Sequence, residues 1–128
     1  MKEERLHKQI CDYLKLHKDK PIFNTDMSGL RLPLGLAIKA SKLRSNKVFP
    51  DIVIYEPRGG YFGLFLELKS EIPFKKDGQP KKNAHLEEQA AVMEKLKSKG
   101  YYARFIWRFE DAVSNIDAYL SMPKTPIL

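Results

Sequence analysis

The chain is short of cysteine, of long apolar runs and of acid, and each shortage removes a class of protein. Its single cysteine, Cys11, cannot close an internal disulfide. A disulfide-stapled secreted domain is therefore excluded, as is a zinc site built from cysteines. Cys11 sits beside Ile10 in a helical pattern and reads as a small core residue. No apolar stretch approaches the roughly 20 residues that a membrane span needs. The charged start, Met1-Lys2-Glu3-Glu4-Arg5, is followed by no apolar segment, so neither a membrane association nor a signal peptide is expected. A reducing, cytoplasmic location is the expectation. His7, His17 and His85 share no metal-ligand spacing.

Acid is outnumbered: 16 Asp and Glu stand against 23 Lys and Arg, a net charge of +7 on 128 residues. That balance points to an anionic partner, with nucleic acid as the first candidate. At 43% hydrophobic residues the chain can build a core. A chain of this length buries roughly two-thirds of the surface its unfolded form exposes, which argues against a disordered protein. The length is that of one domain, expected over residues 1–121, with a loose proline-containing tail over 122–128.

The periodicities alternate between helix and strand. Leu6, Ile10, Tyr13 and Leu14 mark one face of a first helix. A short extended piece, Pro21-Ile22-Phe23-Asn24, leads to turn residues, among them Ser28, Gly29 and Arg31, a polar turn that could face a site. Pro33 can open a second helix through Leu34, Leu36, Ala37, Ala40 and Leu43. Ile52-Val53-Ile54-Tyr55 is a β-branched strand. Residues 61–69 alternate, with Leu64, Leu66 and Leu68 on one face and Phe65, Glu67 and Lys69 on the other. Residues 71–83 read as a long exposed loop. A further helix is expected over residues 84–99, stopped by Gly100. A strand over residues 101–109 and a last helix carrying Val113, Ile116 and Leu120 complete the order. The fold class expected is α/β, a mixed sheet flanked by helices.

Charged residues occupy places where a strand predicts apolar ones. Asp51 opens a strand directly after Pro50. Glu67 and Lys69 stand two apart, so both project from the same face. A buried charge is costly unless it is paired or binds a metal. Two acids and a lysine at neighbouring strand positions meet that requirement with a divalent cation, and oxygen ligands suit Mg2+ or Mn2+ better than zinc. Such a cation polarises a phosphodiester and lowers the pKa of a bound water, while Lys69 can orient that water or neutralise charge on the phosphate. An exposed cross-strand pair at Glu67 and Lys69, with Asp51 as a turn residue, would give the same spacing. Gln89 shares the inward stripe of its helix with Leu86 and Met93. It is either a satisfied buried amide or a group aimed at the same site.

Phe49-Pro50-Asp51, Phe65-Leu66-Glu67-Leu68-Lys69 and Glu88-Gln89 on the next helix resemble the PD-(D/E)xK nuclease superfamily. Within it the chain resembles a stand-alone VRR-NUC domain of the phage type, over nearly its whole length. The resemblance implies a restriction-endonuclease-like αβββαβ core and Mg2+- or Mn2+-dependent hydrolysis of DNA by one-metal or two-metal water attack. Asp51 and Glu67 match the metal-binding acids, with the carbonyl of Leu68 as a further ligand. Lys69 matches the catalytic lysine and Gln89 the helix glutamine. An acid on the first helix fits Glu3 best, with Glu4 as the near alternative. The resemblance further implies a homodimer acting on branched DNA such as Holliday junctions, and a host-cell cytoplasmic setting for a viral protein. One departure is the stretch Asn46-Lys47-Val48-Phe49, which lacks the glycine related sequences often carry there.

Candidate phosphate contacts are Lys39, Lys42, Arg44 and Lys47 on one segment and Lys75, Lys76, Lys81 and Lys82 in the long loop. Trp107, Tyr101 and Tyr102 could stack on bases or pack in the core. Two rivals remain at this point. A non-catalytic basic nucleic-acid-binding module would bind without cutting. A basic assembly protein would leave Asp51, Glu67 and Lys69 in solvent, apart from one another.

Overall fold

Alternation makes the central strand. In β3 (Leu64–Leu68) the three leucines turn to one side and Phe65 and Glu67 to the other. Its neighbours are β2 (Ile52–Ile54), antiparallel, and β4 (Tyr102–Ile106), parallel, with β1 (Phe23–Thr25) antiparallel on the outer edge of β2. The parallel pair requires a crossover, which α3 (Ala84–Ser98) supplies. The remaining helices are α1 (Lys2–Leu16), α2 (Leu34–Lys42) and α4 (Phe109–Ser121). The computed structural model describes residues 2–26 and 32–127. Ser28, Gly29 and Arg31 lie outside the described residues.

The main core lies on the leucine face. Leu6, Ile10 and Leu14 of α1 and Ile116, Tyr119 and Leu120 of α4 meet Ile52, Ile54, Leu64, Leu66, Leu68 and Ile106. Each such side chain fully removed from water contributes about 1.5–3 kcal/mol. Register puts Phe65 beside Ala103 and Glu67 beside Phe105 on the opposite face. There α3 buries Leu86 and Met93 apart from the main cluster. Asn83 caps this helix, its side chain accepting from the Leu86 amide at 3.0 Å. Gly100 ends it at φ +97, where a Cβ would come within 2.6 Å of the Phe62 ring.

The expected order of elements is the one observed, and α1, β1–β3, α3 and β4 form the αβββαβ core, with α2 between β1 and β2 and α4 appended. Two local expectations change. The strand expected over residues 61–69 is shorter, because Tyr61 instead closes a turn against Arg58. The loop over residues 71–83 contains a tight hairpin: Phe74 bridges Pro80, the Lys75 amide donates to the Gln79 carbonyl at 2.8 Å, and Gly78 turns the tip at φ 85. Within the tail, Pro123 and Thr125 carry hydrogen bonds to the turn at residues 57–61. The Gly59 amide donates to the Pro123 carbonyl at 2.7 Å, the Thr125 amide to Pro57 at 3.0 Å, and the Arg58 guanidinium to the Leu120 carbonyl at 2.7 Å. Sequence patterning misses these contacts because backbone groups carry them.

Candidate functional site

The register between β2 and β3 builds the site. Ile52 lies opposite Leu66, so Asp51 falls one step further along, level with Glu67. Pro50, buried, brings the chain into the strand, and the Asp26 amide donates to the Asp51 carbonyl at 2.9 Å, fixing that entry to the end of β1. The Asp51 side chain reaches across to β3, where Oδ2 accepts from the Leu68 amide at 2.7 Å. Glu67 is 2% exposed. Its carboxyl is pushed up to about 10, first by burial, then by Asp51 as hydrogen-bond partner and like charge, against the opposing pull of Lys69. Lys69 follows on the same face, half-buried, its amide tied to Ile106 at 2.8 Å.

Two buried oxygens of the candidate residues stand out. Glu67 Oε2 and Gln89 Oε1 are buried and have no hydrogen-bond partner among the described residues. A buried polar atom left without any partner costs about 1–3 kcal/mol, so each calls for a shared proton, a water or a bound cation. The Gln89 amide is divided. Its nitrogen lies 3.2 Å from His85 Nε2, one helical turn earlier, which leaves the oxygen turned inward. His85 is the residue the sequence reading missed. Its lack of metal-ligand spacing hid a different signal, a polar pair at i and i+4.

The donor chemistry fits a hard cation. Asp51 and Glu67 offer carboxylate oxygens side by side, one of them orphaned, and a cation would satisfy it while relieving the repulsion that raises Glu67. Among the described residues no group of three or more His, Cys, Asp or Glu side chains converges. Glu3 and Glu4 are exposed in the first turn of α1. His7, one turn after Glu3, reaches Thr25 Oγ1 at 3.2 Å, and Thr25 pairs with Ile52 next to Asp51. The Glu3 side of α1 is therefore the side nearer the β2 entrance.

The structure also sorts the basic residues. Lys39, Lys42, Lys47, Lys75, Lys76, Lys81 and Lys82 are exposed. Arg44, the other candidate phosphate contact of residues 39–47, is partnered within the chain: its Nη2 lies 3.2 Å from Asp26 Oδ2 and its guanidinium 4.7 Å from the Phe49 ring centre. The hairpin carrying Lys75 and Lys76 rests on Phe74, whose ring meets Phe105 at 5.4 Å and Trp107 at 6.3 Å. Since Phe105 is the β4 neighbour of Glu67, the hairpin stands on the Glu67 face of the sheet. Trp107 is thus a packing residue. So are Tyr101, against Phe62 and Phe65, and Tyr102, against Tyr61 and Tyr119.

A solved structure described as a VRR_NUC domain protein superposes with a TM-score of 0.71, covering 97% of this chain and 92% of that one. The fold is that of a VRR_NUC domain. At 21% identity the likeness establishes the fold. No protein-family model and no curated protein matches the sequence. The VRR_NUC fold accounts for the sheet order and for the pairing of the Asp51 strand with the Glu67 strand. The assembly-protein alternative expected Asp51, Glu67 and Lys69 in solvent and apart, whereas Glu67 is buried beside Asp51. Among the described residues no helix is long and apolar enough to cross a membrane.

Proposed function

We propose that the protein is a divalent-cation-dependent endodeoxyribonuclease that hydrolyses phosphodiester bonds in branched DNA as a homodimer. The observation that carries this reading is the orphaned Glu67 oxygen buried beside Asp51, on a VRR_NUC fold. Asp51 and Glu67 would hold Mg2+ or Mn2+, with the Leu68 carbonyl and Glu3, or Glu4 in its place, completing the oxygen set. Bound there, the cation would polarise the phosphodiester and lower the pKa of a water. Lys69, on the Glu67 face, orients that water or neutralises charge developing on the phosphate. The inward Gln89 oxygen accepts a hydrogen bond from the water or from the lysine. Lys75, Lys76, Lys81 and Lys82 grip the backbone from the hairpin on the same face, and Lys39, Lys42 and Lys47 grip it from the α2 side.

One site per chain cuts one strand at a time, so two copies about a two-fold axis would cut a symmetric junction in both strands. The test is direct. Four-way junction and linear DNA are incubated with Mg2+, Mn2+ or EDTA, beside Lys69→Ala. The wild type should cut the junction only with a cation, and Lys69→Ala should lose about 10²–10³-fold in rate. Cleavage that survives EDTA or the lysine substitution would overturn the mechanism. Salt-dependent binding with no cutting of any DNA would favour a non-catalytic module.

A further inference from the structure

The second helix differs from the other three. α1, α3 and α4 all bury side chains, whereas none of the nine residues of α2, all described, is buried. Leu34 is 77% exposed and Leu43, at its end, 80%, with Leu36 and Ile38 at 53% and 47%. Four large apolar side chains in water call for a covering partner.

The chemistry of the segment narrows what that partner is. Residues 32–50 contain no Asp or Glu and carry Lys39, Lys42, Arg44 and Lys47. Arg44 turns inward and holds the excursion in place through Asp26 and Phe49. The exposed cations interleave with the apolar residues. Leu34, Ile38 and Lys42 follow one another at i, i+4 and i+8. Leu36, Lys39 and Leu43 do so at i, i+3 and i+7. A helix that lies on lipid separates its basic and apolar faces, and this one does not. A second copy meeting this helix about a two-fold axis would set its lysines against the same lysines, a like-charge contact that disfavours pairing here. A nucleic acid with unpaired bases offers negative phosphates and flat apolar surfaces at short intervals. The position agrees: both ends of the excursion meet at the site, where the Asp26 amide donates to the Asp51 carbonyl at 2.9 Å.

We propose that α2 is a wedge for interrupted DNA. Leu34, Leu36, Ile38 and Leu43 contact unstacked bases at a branch while Lys39 and Lys42 hold the flanking phosphates, so the helix sets the preference for branched over continuous duplex. The inference rests on the nuclease reading above and names what gives that site its substrate class.

The full chain and its double variant Leu34→Ser/Leu43→Ser are titrated, with Ca2+ in place of Mg2+, against a four-way junction and a matched linear duplex. Both DNAs carry 2-aminopurine at the branch position. The wild type should prefer the junction and raise its fluorescence on binding. The double variant should lose about tenfold of the junction-to-duplex affinity ratio and the fluorescence rise. Lys39→Gln/Lys42→Gln should weaken both DNAs together and reduce the salt slope by about two. Circular dichroism establishes that each variant folds, and Leu36→Ser/Ile38→Ser serves as a second apolar variant. An unchanged ratio and fluorescence in folded apolar variants would overturn the wedge while leaving cleavage by the wild type, and with it the nuclease reading, intact. A drop in sedimenting mass of the apolar variants would also overturn it, by making α2 a protein interface. A wild type that neither binds nor cuts DNA would remove both readings.

Discussion

Two polar clusters lie toward opposite ends of α1, and they are completed to different degrees. At the C-terminal end, Asp117 Oδ1 accepts from the Tyr13 hydroxyl at 2.5 Å and lies 3.1 Å from His17 Nε2. His17 Nδ1 in turn accepts from the Asp19 amide at 3.1 Å, which assigns its proton to Nε2. Accepting that short bond from Tyr13 pushes the phenol up to about 12, with burial adding to the effect. This cluster is closed, and it joins α1 to α4. Toward the other end, the Asp51 and Glu67 carboxyl groups stand side by side, and Glu67 Oε2 finds no partner among the described residues. The contrast sets a polar cluster whose partners all come from the chain beside one that the proposed cation would complete.

The comparison predicts opposite responses to substitution. The largest effect falls on activity: Glu67→Gln should lower cleavage by about 10³-fold, equivalent to about 4 kcal/mol of barrier. Asp117→Ala should leave cleavage by the folded protein unchanged and cost about 0.5–1.5 kcal/mol of stability, because Tyr13 and His17 lose a shared, half-exposed acceptor that water replaces in part. Urea unfolding beside a cleavage assay measures both. If Asp117→Ala lowers cleavage and not stability, the division between the clusters is wrong.

A smaller effect has the opposite sign. In the metal-free folded protein Glu67 keeps a proton that the unfolded chain releases near an ordinary carboxylate pKa of about 4.3. Stability therefore falls as pH rises from there toward 10, the folded value. Glu67→Gln removes this dependence. In EDTA it should melt above the wild type, with a gap that widens from about pH 5 to about pH 9. A flat or inverted gap would show that burial of the carboxyl is not the source of the shift. The smallest effect belongs to His85. Releasing the Gln89 amide in His85→Ala should cost about tenfold or less in kcat at nearly constant KM, and His85→Gln, which keeps an acceptor, should restore most of it.

Element order was legible because the apolar spacing of Leu64, Leu66 and Leu68, and of Leu6, Ile10 and Leu14, carries it directly. The candidate site was legible in part. Asp51, Glu67 and Lys69 stood out as charges in apolar surroundings, and Gln89 as an amide on an inward stripe. That Asp51 lies level with Glu67 depends on a cross-strand register that the 15 intervening residues do not encode locally. The contact of His85 with Gln89 was hidden because its partner is an amide rather than a metal ligand. The pairing of Arg44 with Asp26 and Phe49 was not legible, because composition cannot distinguish a solvated guanidinium from one held by such partners. The tail contacts at Pro123 and Thr125 and the hairpin at Gly78 rest on backbone hydrogen bonds and a positive φ, to which hydropathy is blind.

The central claim is that Asp51 and Glu67 are kept together for a cation. Calorimetric titration of Mn2+ into the metal-free protein, in two buffers of different ionisation heat, tests it most directly. The account predicts saturable binding with release of a proton from the Asp51–Glu67 pair, and loss of both the binding and the proton release in Glu67→Gln. Binding of equal strength in Glu67→Gln, or none in the wild type, would contradict it.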